Sequence, residues 1–147
     1  LKNNKVVAGA GSPEIELARN LRKFSESLSG REQLAVQAFA DSVEIIPRTL
    51  AENAGLDPID ILTELKAAHD KDKKWHGIDV FTGKVVDAWN RGVLEPLKIK
   101  TQAVSSASEV AIMILRIDDL IASSGGAKGG MPAGGDMMPP GGMPPGY

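Results

Sequence analysis

The composition of this 147-residue chain changes sharply near its C-terminal end, and the change limits which residues can belong to a folded core. Residues 125–147 contain nine of the sixteen glycines, five of the nine prolines and four of the five methionines. A segment of this kind cannot bury enough apolar surface to offset the conformational entropy that folding removes. We therefore expect residues 124–147 to form a disordered tail and residues 1–123 to form one small domain.

Apolar residues before this tail recur mostly at helical spacing. Helices are predicted over the ranges 12–28, 31–44, 48–53, 57–69 and 101–122. Ser12 and Asp57 each precede a proline, and we interpret both as N-caps with proline in the first helical turn. Pro47 is expected to break or kink the second helix, because proline lacks an N–H and its ring clashes with the preceding turn.

The apolar period shortens to about two residues between Gly77 and Trp89, which is typical of strands. Thr82-Gly83 interrupts this segment at its middle and predicts a β-hairpin with a tight turn. Trp75 and Trp89 flank the hairpin and are expected to pack against it. The predicted fold class is therefore mainly α with a β-hairpin.

Composition excludes several classes of function. The net charge of −2 is too balanced for an electrostatic nucleic-acid or membrane surface. The absence of cysteine excludes disulfides, thiolate metal sites and a cysteine nucleophile, and it fits a reducing cytoplasm. No apolar run approaches the roughly 20 residues of a membrane span. The chain starts at Leu1 rather than Met, so we expect it to begin inside a longer polypeptide.

The turn Gly9-Ala10-Gly11-Ser12 is the most suggestive chemical feature. A flexible backbone that enters a helix start exposes N–H groups and a positive dipole end, which suit a phosphate. It is not a Walker A loop, since no Gly-Lys-Ser/Thr follows. A simple connector between two elements remains the alternative.

Asp79 and Glu95 lie at the two ends of the hairpin segment. Carboxylates there can accept hydrogen bonds from ribose hydroxyls, although solvated loop acids are the alternative. Lys98 and Lys100 face either phosphate or water. His69 and His76 lack a third ligand at metal spacing and are interpreted as structural or surface residues.

Several blocks, in order, resemble the group II chaperonins, which include the archaeal thermosome. Residues 6–14 (VVAGAGSPE) are similar to the family segment V-V-x-G-G-G-x-x-E. Further similar blocks are 30–35 (GREQLA), 46–58 (IPRTLAENAGLDP), 65–69 (LKAAH), 77–80 (GIDV), 83–87 (GKVVD), 92–96 (GVLEP) and 100–103 (KTQA). The resemblance covers essentially the whole chain, so we expect a chaperonin subunit from an archaeon.

The resemblance implies a C-terminal half of a chaperonin equatorial domain, of helical bundle type. Residues 1–12 would be the intermediate/equatorial junction, 13–123 the equatorial ATP-binding part, and 124–147 the tail. The whole protein would be cytoplasmic and would fold unfolded client proteins in a stacked double ring of chaperonin subunits, without nucleic acid or membrane. The residues implied to contact ATP or ADP are Gly9, Ala10, Gly11, Asp79, Glu95 and Lys100.

The chain departs from the family at one position and lacks other parts of it. Ala10 replaces the middle glycine of the family run; a backbone contact can survive there if Ala10 keeps a negative φ, whereas a left-handed conformation would be strained. The family's Mg²⁺ ligands, catalytic acid and substrate-binding domain lie outside these 147 residues, so this segment alone is not expected to hydrolyse ATP. The alternative is a truncated, non-catalytic assembly module, which the coding sequence upstream of Leu1 would distinguish.

Overall fold

The structure is a computed structural model that describes residues 5–117. Its helices are α1 (Ser12–Ser25), α2 (Gly30–Val43), α3 (Ile45–Asn53), α4 (Pro58–Asp70) and α5 (Leu97–Leu115). Its strands are β1 (Val6–Ala8), β2 (His76–Asp79), β3 (Lys84–Asp87) and β4 (Leu94–Pro96). The predicted fold class, mainly α with a β-hairpin, is confirmed. The tail predicted at 124–147 lies outside the described residues.

Two antiparallel strand pairs frame one side of the domain. Strands β2 and β3 form the predicted hairpin, with His76 opposite Asp87 and Asp79 opposite Lys84. The rings of Trp75 and Trp89 pack against each other with their centroids 5.2 Å apart. Strand β1 pairs with β4, a partner that the sequence did not indicate because the two strands are far apart in the chain.

A small buried cluster joins the helices to the hairpin. Its members are apolar residues from α1, α3, α4 and β2, namely Ile15, Ala51, Ile61, Leu62, Leu65 and Ile78. Burial of such side chains is the main favourable contribution to folding. Because Ile78 belongs to this cluster, the hairpin is held against the start of α1.

The two predicted N-caps have different outcomes. Asp57 caps α4 as predicted, since its Oδ1 accepts hydrogen bonds from the N–H groups of Ile59 (2.8 Å) and Asp60 (3.3 Å). The prediction for Ser12 is wrong: Gly11 is the N-cap of α1, and it adopts a left-handed φ of 79°. Ser12 is buried, and its hydroxyl donates instead to the carbonyl of Lys74 at 2.7 Å. A tertiary contact therefore replaces the local cap.

Pro47 lies in the first turn of α3, where an N–H would have no helical partner. The predicted break is present, but it falls before Ile45, so α3 begins earlier than the predicted Arg48.

Helix α5 also begins earlier than predicted, at Leu97 rather than Thr101, because Pro96 ends β4 and becomes the N-cap of the helix. None of the residues of α5 is buried. Within residues 5–117 no helix has the length and apolarity needed to cross a membrane.

His69 has a structural role, as predicted. The side chain is fully buried; its Nδ1 lies 2.8 Å from Glu16 Oε2, and its Nε2 lies 2.8 Å from the carbonyl oxygen of His76. The imidazole therefore links the end of α4 to α1 and to the first residue of the hairpin. This link supports the same placement of the hairpin as the apolar cluster.

Glu44 anchors the junction between α2 and α3. Its buried carboxylate accepts hydrogen bonds from Arg22 on α1 and pairs with Lys66 on α4 at 2.7 Å. Burial alone would raise the pKa of Glu44, but the hydrogen bonds from Arg22 and Lys66 outweigh it and hold this pKa below the ordinary 4.5. Ionised Glu44 therefore stabilises the fold.

We predict that part of the stability of this chain is lost in acid through Glu44. A lowered folded-state pKa gives stability that is complete above pH 4.5 and disappears as the pH falls through the folded value. Glu44→Gln should unfold about 2 kcal/mol more easily at neutral pH and show a shallower loss in acid. Urea unfolding at a series of pH values measures both, with Glu26→Gln as an exposed control. Parallel acid profiles for Glu44→Gln and the parent chain would contradict the prediction.

We also predict that Gly11 tolerates no side chain, whereas Gly55 tolerates one at a smaller cost. Both have positive φ, but a Cβ at Gly11 would lie 2.8 Å from Pro47 Cβ, while at Gly55 it would meet nothing within 4 Å. Gly55→Ala should cost about 1 kcal/mol and Gly11→Ala about 3 kcal/mol in the free energy of unfolding. Equal losses in urea unfolding would show that the contact with Pro47 is unimportant.

Candidate functional site

A cavity of about 850 Å³ opens between the β1–α1 turn, α3 and the hairpin. Its size is in the range of small-molecule sites. Five of the six predicted site residues line it: Ala10, Gly11, Asp79, Glu95 and Lys100. The sixth, Gly9, is buried and does not line the cavity. The structure thus brings together residues that are distant in sequence.

Some backbone groups of the Gly9–Gly11 turn form hydrogen bonds within the domain, and others do not. The N–H of Gly9 donates to the carbonyl of Val93 at 2.8 Å, and the carbonyl of Ala10 accepts from the N–H of Ile78 at 2.9 Å. Among the hydrogen bonds of residues 5–117, none comes from the N–H of Ala10 or Gly11. Consecutive free N–H groups at a turn form a concavity that suits an anion.

Ala10 adopts a left-handed backbone with φ of 59°. The condition stated for it from sequence, a negative φ, is therefore not met. A left-handed conformation costs an L-residue roughly 1–2 kcal/mol. The hairpin lies close to this residue, because a Cβ at Gly77 would lie only 2.7 Å from the carbonyl oxygen of Ala10. Gly77 therefore allows the hairpin to approach the turn closely.

Glu95 reaches the cavity from β4, and Gly9 leaves the space that its side chain needs. A Cβ at Gly9 would lie 2.9 Å from Glu95 Oε1 and 3.2 Å from a methyl carbon of Val93. Strand β1 brings Gly9 to this position, because Val7 pairs with Glu95. The absence of a side chain at Gly9 therefore allows the Glu95 carboxylate to occupy its position.

Lys100 lies between two carboxylates. Its Nζ is 2.6 Å from Glu14 Oε1 and 2.5 Å from Glu95 Oε2. Burial lowers the pKa of Lys100, but the hydrogen bonds to Glu14 and Glu95 outweigh it and raise this pKa above its ordinary value. The lysine therefore stays charged. No spacing signal in the sequence connects Glu14 to Lys100.

Asp79 is both a turn residue and part of the cavity wall. Its Oδ1 accepts hydrogen bonds from the N–H groups of Phe81 (3.0 Å) and Thr82 (3.3 Å), which close the hairpin turn. Hydrogen bonds from Thr82 and Phe81 lower the pKa of Asp79 below its ordinary value. Its Oδ2 lies 3.9 Å from Arg91, another cavity residue that the sequence reasoning missed.

Much of the remaining cavity wall is apolar and was also missed. It includes Ile45, Ile46, Leu50, Ile78, Val80, Phe81, Val86 and Val93. Several of these residues are exposed, and Phe81 is 96% exposed. Tertiary packing alone brings the start of α3 opposite the hairpin tip. A cavity with an apolar wall and polar groups at one end suits a ligand with a flat apolar part and a polar part.

No metal site is formed by the described part of the chain. Between residues 5 and 117, no three His, Asp or Glu side chains are grouped so that they can hold a metal ion. Of the two cavity carboxylates, Glu95 is paired with Lys100 and Asp79 accepts hydrogen bonds from its own turn. The polar groups here therefore suit hydrogen bonding and anion binding.

We predict that Ala10→Gly stabilises this chain. Glycine adopts positive φ without strain, and this gain exceeds the entropy that glycine adds to the unfolded chain, so the free energy of unfolding should rise by about 0.5–1 kcal/mol. Urea unfolding measures the change. Ala54→Gly, at the C-cap of α3 with φ of −83°, serves as the control and should destabilise. A loss of stability in Ala10→Gly would show that the methyl group contributes more packing than strain.

The family model described as the TCP-1/cpn60 chaperonin family matches residues 1–124. The thermosome subunit beta of Archaeoglobus fulgidus is 64% identical over 139 residues, covering 90% of this chain and 26% of that protein. The thermosome subunit of Methanocaldococcus jannaschii is 61% identical over 141 residues, covering 93% of this chain and 26% of that protein. The chain therefore spans about a quarter of the length of these relatives.

A solved structure has the same fold. It is an open-state monomer of a group II chaperonin from Methanococcoides burtonii, 57% identical, with a TM-score of 0.74. The match covers 77% of this chain and 28% of that one. These similarities confirm the resemblance that the ordered sequence blocks predicted.

Proposed function

Because this chain belongs to the TCP-1/cpn60 chaperonin family, we propose that it is a nucleotide-contacting segment of an ATP-dependent chaperonin that folds non-native proteins. Residues 13–123 would form the C-terminal half of the equatorial domain, and residues 1–12 its junction with the intermediate domain. The observation that carries the proposal is the arrangement of Glu95 and the Ala10–Gly11 turn around one cavity.

Glu95 is the group best suited to bind a ribose. Lys100 pairs with its Oε2, whereas Oε1 receives no hydrogen bond from residues 5–117. A carboxylate oxygen with free lone pairs accepts hydrogen bonds from adjacent hydroxyls, and a ribose supplies two. The recognition of the sugar is therefore assigned to Glu95 Oε1.

The other cavity walls accommodate the rest of a nucleotide. The free N–H groups of Ala10 and Gly11 can donate to phosphate oxygens. The apolar wall formed by α3 and the hairpin offers a surface on which a base can pack. In this arrangement Asp79 lies at the base side of the cavity and orders the hairpin turn.

The described residues supply binding and orientation for phosphoryl transfer, and the bond-breaking groups come from elsewhere in the protein. Catalysis of ATP hydrolysis needs charge neutralisation at the phosphates and a group that orients water. When bound, Mg²⁺ would supply the charge neutralisation. Residues 5–117 contain no group of three His, Asp or Glu side chains that could hold the metal ion. We infer that this segment contributes affinity and position, and that hydrolysis belongs to the complete subunit.

Assembly with other chaperonin subunits is the second part of the proposal. Helix α5 exposes Ile99, Val110 and Leu115, and none of its residues is buried. A helix with many exposed apolar residues is typical of a surface that packs against another part of a protein. We propose that the helix packs against the rest of the chaperonin, in a cytoplasmic stacked double ring that encloses unfolded clients.

The proposed ribose contact predicts a specific loss on Glu95→Ala. In the complete polypeptide that carries this sequence, affinity for ADP should fall about tenfold or more, because a hydrogen bond to a charged group is worth roughly 1.5–3 kcal/mol. Affinity for the deoxyribose analogue dADP should fall less. Calorimetric titration with both nucleotides measures this, and Glu64→Ala on the exposed face of α4 is the control.

Two results would count against this function. Unchanged ADP affinity in Glu95→Ala would remove the ribose contact. Failure of the parent polypeptide to bind ADP at all would favour the alternative, a non-catalytic assembly module. Both results are independent of whether α5 packs against other subunits.

A further inference from the structure

Glu14 is a buried carboxylate whose position is costly for the fold. The residue is 5% exposed, and one oxygen, Oε1, lies 2.6 Å from Lys100 Nζ. The other oxygen, Oε2, is buried and has no hydrogen-bond partner among the described residues. An unsatisfied buried acceptor destabilises the folded state. The stability of the fold therefore does not explain why a carboxylate is buried at this position.

Glu14 does not act by touching a ligand. It lies in the first turn of α1, and it is not among the residues that line the cavity. The N-terminal end of the helix favours a negative charge at this position. Any effect of Glu14 on the cavity must therefore pass through the one side chain that it pairs with, Lys100.

Lys100 is the link between Glu14 and the cavity. Its Nζ contacts both carboxylates, and its side chain is 24% exposed, compared with 6% for Glu14 and 36% for Glu95. One positive charge between two negative charges leaves a net charge of −1 at this cluster. Without Glu14, the ammonium would pair with Glu95 alone, and its long flexible stem would have no buried anchor.

Glu95 needs such an anchor more than the other two residues do. Its side chain is the most exposed of the three, so in water it would sample several rotamers. Lys100 holds Oε2, while Gly9 leaves room for Oε1 on the other side. A fixed orientation of Oε1 lowers the entropic cost of accepting a ligand hydroxyl.

We propose that Glu14 is a positioning residue: it anchors Lys100, and through Lys100 it orients the Glu95 carboxylate for ribose recognition. The inference rests on the proposed nucleotide-binding function. Glu14 and Lys100 thereby affect the discrimination between ribose and deoxyribose. The phosphate and base contacts are unaffected by this effect.

The test compares ADP and dADP binding in the complete polypeptide, for Glu14→Gln and Glu14→Ala. Glu14→Gln keeps the shape and one acceptor for Lys100, whereas Glu14→Ala removes both. Affinity for ADP should fall about threefold in Glu14→Gln and about tenfold in Glu14→Ala, as expected for residues in contact. Affinity for dADP should change less in both variants. The Glu14→Ala/Glu95→Ala double variant should bind ADP no more weakly than Glu95→Ala alone.

Glu44→Gln is the matched control, since Glu44 is also a buried carboxylate that bridges two cations, away from the cavity. It should lower the thermal midpoint and leave the ratio of ADP to dADP affinity unchanged. Thermal melting of each Glu14 variant monitors folding, and Glu14→Gln is the milder substitution if Glu14→Ala folds poorly.

Four results would overturn the inference. Equal losses for ADP and dADP in the Glu14 variants would give Glu14 a purely structural role. Additive losses in the double variant would show that Glu14 does not act through Glu95. If Glu95→Ala reduces sugar discrimination and the Glu14 variants do not, the positioning role alone is lost. Unchanged discrimination in Glu95→Ala removes the ribose contact, and the inference is lost with it.

Discussion

The close approach of the hairpin to the β1–α1 turn is the contact on which the rest of the site depends. The N–H of Ile78 donates to the carbonyl of Ala10, and the absence of a side chain at Gly77 lets the two backbones meet. Ala10, whose carbonyl makes this contact, has a left-handed conformation. The apolar cluster around Ile78 and the buried imidazole of His69 support it from the helical side. Strain at one residue is thus offset by packing elsewhere, which is common at functional sites.

Three acidic side chains pair with basic side chains and so link the elements of the domain. Glu16 pairs with His69, Glu44 with Arg22 and Lys66, and Glu14 with Lys100. The first two link structural elements of the helical body. The third extends to the cavity through Glu95, and of these three carboxylates only Glu14 has a buried oxygen without a partner among the described residues. We therefore assign the interactions of Glu16 and Glu44 to the stability of the fold, and the ion pair of Glu14 with Lys100 to the site.

Local structure followed closely from local sequence. The hairpin between β2 and β3 came from its period and its Thr82-Gly83 turn, and the start of α4 came from Asp57 followed by Pro58. Element ends were less predictable when a distant contact determined them. Ser12 looks like a hydroxyl cap from its neighbours, but its hydroxyl donates to the Lys74 carbonyl, which no local pattern reveals. The pairing of β1 with β4 was missed for the same reason.

By itself, the sequence determined the mainly helical class, the hairpin, the family and five of the residues that line the cavity. It could do so because helical period, turn residues and ordered family blocks are properties of neighbouring positions. Only the tertiary structure decided that Glu14 anchors Lys100, that Gly9 makes room for Glu95, and that Ala10 is left-handed. Each of these depends on atoms from segments that are far apart in the chain. Their distances are fixed by packing of the whole domain, which no local spacing encodes.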